Sequence, residues 1–170
     1  MASLIDEIID VLTEEEKVYN ALLECAEKKT QIIIDADIAA LEQLTIQEQA
    51  KSDELISLRN KQIQLLKDIN TVLGQKEKNM TSTNLIPYIS SQPHLQEKLS
   101  IAKDNLIVAA NKVQERNQQN EILLKQAMEL TEFDILLLKS MRQAPETANY
   151  DKNACNTGAR LSGGDFDTKQ

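Results

Sequence analysis

From Leu95 to Met141, aliphatic and small residues recur at steps of three and four: Leu95, Leu99, Ala102, Leu106, Ala109 and Val113, then Asn117 and Asn120, then Leu124, Ala127, Leu130, Phe133, Leu137 and Met141. The α-helix, with 3.6 residues per turn, is the regular structure that gathers such positions onto one face. A single helix from Pro93 to about Arg142 follows, roughly 70 Å long at 1.5 Å per residue, so a rod is expected rather than a sphere. Pro93 suits a first helical position, where no intrahelical partner awaits its missing N–H. Lys139 and Arg142 put positive charge at the carboxyl end, as the helix dipole favours.

Two earlier segments carry the same period. Ile5, Ile8, Leu12, Tyr19, Leu22, Leu23 and Ala26 predict a helix starting near Leu4, with Ser3 and Asp6 read as a capping box. Ile38, Leu41, Leu44, Leu55, Leu58, Leu65, Ile69 and Val72 predict a second, entered through Asp35-Ala36-Asp37 and stopped by Gly74. Residues 75–93 read as a connector with room for one helical turn around Asn84 to Ile89. With 4 Gly and 3 Pro in 170 residues, the chain lacks the turns a many-stranded sheet needs. The expected fold is all-α, an elongated antiparallel bundle of a few long helices with coiled-coil-like packing over residues 1–142. A flexible C-terminal tail, residues 143–170, is expected beyond it, because its Asn, Thr, Gly, Asp and Ser bury too little to offset ordering.

Several functions are excluded by what the chain contains. A balance of 19 Lys+Arg against 27 Asp+Glu, net −8, repels nucleic acid. One histidine, His94, cannot build a two-imidazole metal site, and Cys25 and Cys155 form no Cys-x-x-Cys, so neither metal nor cofactor is expected. Glu14-Glu15-Glu16 points three ways around a helix and reads as a solvated face, while Gly163-Gly164 lacks the strand and helix of a phosphate loop. No active site emerges. The acidic start lacks the form of a secretory signal, and no aliphatic run nears the ~20 residues that cross a bilayer, so a cytosolic protein without membrane insertion is expected.

Two features exceed what a plain bundle requires. Between Ile122 and Met141, Leu123, Leu124, Met128, Leu130, Phe133, Ile135, Leu136, Leu137 and Leu138 point nearly all round the helix. They are either enclosed by neighbours, paired with a second copy in a homodimer, or open as a groove for a partner's amphipathic helix. The polar band Asn111, Gln114, Asn117, Gln118, Gln119 and Asn120 sets Asn on the seam itself, where it fixes register or contacts a ligand.

The order Leu12, Glu15, Tyr19, Leu22-Leu23, Ala26, Lys28-Lys29, then Asp37, Leu41 and Leu44, then Asn117 to Leu124 leading to Phe133 and Leu136-Leu137-Leu138, and last Tyr150-Asp151-Lys152, resembles the FlgN family of bacterial flagellar export chaperones. The resemblance runs from about Leu4 to Lys152 and departs at Asn153-Ala154-Cys155. It implies a non-enzymatic cytosolic chaperone that holds the C-terminal regions of hook-filament junction proteins and passes them to the export gate and its ATPase. Carried onto this sequence, the implied client-binding residues are Leu124, Met128, Phe133, Leu137, Met141 and the tail tyrosine, Tyr150. The competing reading is a structural coiled-coil adaptor or homodimeric scaffold.

Overall fold

The computed structural model describes residues 2–74, 80–90 and 92–143. Four α-helices occur among them: α1 (Ala2–Ile34), α2 (Ile38–Val72), α3 (Ser82–Leu85) and α4 (Pro93–Gln143), with a 3-10 turn at Ile86–Ile89 after α3. No strand is present among the described residues, and the long helices pack on one another. The expected all-α bundle is therefore observed. The chain divides into two compact units, Met1–Ala127 and Met128–Gln170.

In the first unit the α1–α2 reversal takes three residues. The Asp37 N–H donates to the Ile32 carbonyl and the Ala36 N–H to the Ile33 carbonyl, both at 3.2 Å, the double closure of a Schellman motif. Ala36 fills its left-handed position at φ 53°, where glycine is the usual occupant. Asp37 then caps α2, its carboxylate accepting from the Ala40 N–H at 3.0 Å. Replacing Asp37 by Ala should cost about 1 kcal/mol in urea unfolding, the usual effect of losing such a cap. Gly74, at φ 64°, ends α2 where the sequence predicts its stop. The start of α1 differs from expectation: the helix already runs at Ala2, so Ser3 lies inside it and its hydroxyl donates to Glu7 at 3.4 Å instead of capping.

The densest packing joins the start of α1 (Ile5, Ile8, Val11, Leu12) to the end of α2 (Leu65, Leu66, Ile69) and the start of α4 (Leu99, Ala102). Hence α2 runs antiparallel to α1, and α4 runs parallel to α1 within this unit. Leu85 of α3 and Ile89 of the 3-10 turn seal the cluster, so this part of the connector belongs to the core rather than to a plain loop. Thr81 caps α3, its hydroxyl oxygen accepting from the Asn84 N–H at 3.2 Å. Each fully buried Ile or Leu here contributes about 1.5–3 kcal/mol relative to exposure.

In the second unit the described part is the last stretch of α4. Its aliphatic side chains are exposed: Met128, Leu130, Phe133, Ile135, Leu136, Leu137, Leu138 and Met141 all lie between 46% and 66% accessible. No helix among the described residues is long and apolar enough to cross a membrane.

Candidate functional site

The seam of α4 divides by chemistry. Within the first unit it packs inward at Leu99, Ala102, Ala109 and Val113 and then meets α1 through a polar layer. Asn120 is buried; its Nδ2 donates to the Ala26 carbonyl at 2.6 Å, and its Oδ1 accepts from the Thr30 hydroxyl, also at 2.6 Å. A leucine here would remove both bonds between the helices and leave the Thr30 hydroxyl only its weak 3.3 Å bond to the Ala26 carbonyl, so the Asn120 pair fixes how far α4 slides along α1. Of the two seam asparagines, Asn120 thus sets register and Asn117 stays exposed. Beside this layer Lys29 pairs with Glu48 across α1 and α2, both side chains about four-fifths buried.

Around that pair opens a cleft of about 360 Å³, walled by Leu22, Ile33, Val113 and Leu124 and rimmed by Asn117 and Glu121. Leu124, the first of the predicted client-binding residues, is therefore a half-covered wall of a cleft in the first unit, at 38% exposure.

The remaining predicted residues belong to the second unit. Leu130, Phe133, Leu137 and Met141 follow steps of 3, 4 and 4 and share one face of α4. At 100° per residue Met128 and Ile135 lie about 155–175° around the helix from the centre of that face, on the opposite side, and Leu138 lies about 95° from it, between the two. Phe133, Leu137 and Met141 are thus brought together, and Met128 is not with them. Of the three arrangements open for the Ile122–Met141 stretch, enclosure within the described chain is not the one found: ten of its large apolar side chains stand exposed. Tyr150 lies outside the described residues.

Sequence reasoning missed two groups. The Lys29–Glu48 pair joins residues on separate helices, which no local spacing announces. Glu15, read as part of a solvated face, is 0% exposed, and neither carboxylate oxygen has a hydrogen-bond partner. Its register carried the signal: Glu15 is seven residues from Ile8 and three from Leu12, on the buried line of α1. His94, by contrast, is exposed at the start of α4, as expected of a surface residue. Among the described residues no three metal-ligating side chains converge.

A family model described as FlgN protein aligns with residues 1–157. No curated protein matches, and no solved structure matches.

Proposed function

Because this chain belongs to the FlgN family, we propose that it is a cytosolic export chaperone that binds the C-terminal regions of flagellar hook-filament junction proteins and delivers them to the export apparatus. The observation carrying this reading is the exposure of Phe133 at 60%, Leu137 at 47% and Met141 at 66% along one face of a continuous helix. Apolar side chains at 3-4 spacing are what an amphipathic partner helix covers. Methionine and phenylalanine add a surface that adapts to different aliphatic partners. The export gate and its ATPase are the partners to which the loaded chaperone is handed, and the role is binding without catalysis.

Charge order favours a second reading on the opposite side of α4, which carries Met128 and Ile135. In an antiparallel pair of α4 ends meeting there, Glu132 of one copy lies level with Lys139 of the other, and both residues flank that side of the helix. That is the homodimeric scaffold.

Purification of the tagged chain with each junction protein co-expressed, followed by light scattering of the eluted species, separates the two. A one-to-one complex supports the chaperone; a homodimer that excludes the junction proteins supports the scaffold. Tyr150 enters the same assay as a proposed client or gate contact: Tyr150→Ala should weaken one of them by about 1–3 kcal/mol without changing helix content. Affinity of the variant unchanged from wild type, both for the client's terminal segment and for the gate's cytosolic domain, removes Tyr150 from the site.

A further inference from the structure

Glu15 plays no part in client binding as proposed above, and its surroundings demand a separate account. It is 0% exposed on the buried line of α1, between Leu12 and Val18, with both oxygens unpartnered. The antiparallel register fixed by Lys29 and Glu48 places it level with residues 59–62 of α2, fourteen positions back on one helix and fourteen forward on the other. Buried native polar groups nearly always have a partner, and an ionised carboxylate shielded from bulk solvent, with no donor from the described residues, is disfavoured against the neutral acid.

The charges nearby do not rescue the ion. Among the described residues, the charge acting on Glu15 is that of Arg59 on α2, and burial outweighs it, leaving the carboxyl above its ordinary value of 4.5. On α1 itself, Glu14 and Lys17 are paired with each other at the surface, 2.7 Å apart. On α4 the residues packed inward ahead of Asn120 are Leu99, Ala102, Ala109 and Val113, none of them charged.

We propose that Glu15 is a protonation-dependent joint between α1 and α2: the helices close around the neutral acid, and ionisation of that acid loosens them. The direction follows from proton linkage. Above pH 4.5 the unfolded chain releases this proton, whereas the closed helices retain it until the pH passes the raised value. Across that window closure takes up as much as one proton, so the folded-to-unfolded ratio falls by up to about tenfold per pH unit from this group. Its contribution is complete below 4.5 and is lost as pH rises through the raised value.

Urea unfolding of the full chain, followed by circular dichroism from pH 4.5 to 8.5, tests the joint in wild type, Glu15→Gln and Glu15→Leu. Both variants should lose the added pH dependence, approaching a tenfold difference per pH unit within the window, and both should exceed wild type in stability at pH 8. Arg59→Met should destabilise wild type at pH 8 yet have little effect in the Glu15→Leu background, because the charge it screens is gone. Curves for wild type and both variants that run parallel overturn the proposal. So does a constant loss in the variants at every pH, which would mean that Glu15 has a fixed bonding role; Glu15→Gln preserves shape should Glu15→Leu fail to fold.

Discussion

Replacing Phe133 or Leu137 by aspartate should weaken binding of a junction protein's terminal segment by about 2–4 kcal/mol, roughly 30- to 1,000-fold, while leaving helix content unchanged. Both side chains stand about half exposed, at 60% and 47%, so a carboxylate there remains hydrated in the free chain. On docking, that carboxylate would be stripped of water against an apolar helix with no donor to receive it. Calorimetric titration measures the affinity, and circular dichroism verifies the helix. Undiminished affinity in both variants would remove this face from the binding site. Unfolding would mean instead that the face is internal packing.

The largest effect on stability belongs to the other unit. Ile8→Ala should cost about 2–5 kcal/mol, because Ile8 is 0% exposed in the cluster that holds Ile69, Leu85 and Leu99, and the vacated volume cannot fully collapse. Leu130→Ala, at 62% exposure, should shift stability by no more than about 0.5 kcal/mol in the same urea titration. A comparable loss at both positions would contradict the division between a packed unit and an uncovered helix end.

Much of this architecture was legible because helix periodicity is local. Asp37 acts through its side chain on the turn just after it, Gly74 and Pro93 act through their own backbone, and their positions marked the start of α2, its end and the start of α4 to within a residue or two. The start of α1 near Leu4 also came within two residues, but the capping role of Ser3 did not hold: Ser3 and Asp6 fit a capping pattern, yet helical pairing extends past them to Ala2. The burial of Glu15 could be missed because identity and position conflict; its charge signals solvent while its phase along Ile8 and Leu12 signals core. The apolar excess between Ile122 and Met141 was visible in the residues, yet whether neighbours cover it depends on which helices reach it, and no spacing within α4 encodes that. The polar layer at Asn120 lies between these cases. Its seam position was plain, whereas its bonds to Ala26 and Thr30 needed the partner helix in place.

The uneven filling of the first unit also governs how it breathes. Ile5, Ile8, Leu12, Leu66, Ile69, Leu85 and Leu99 crowd the end where α1 begins, and the connector lies across them as a plug. At the other end α1 and α4 meet through Ala26, Thr30 and Asn120, groups that bury little apolar area and whose hydrogen bonds water replaces at small net loss. Opening of the unit is therefore directional. Amide protons near the α1–α2 reversal should exchange through local fraying and those around Ile8 and Ile69 through global unfolding, with the layer at Asn120 as the boundary between the two regimes.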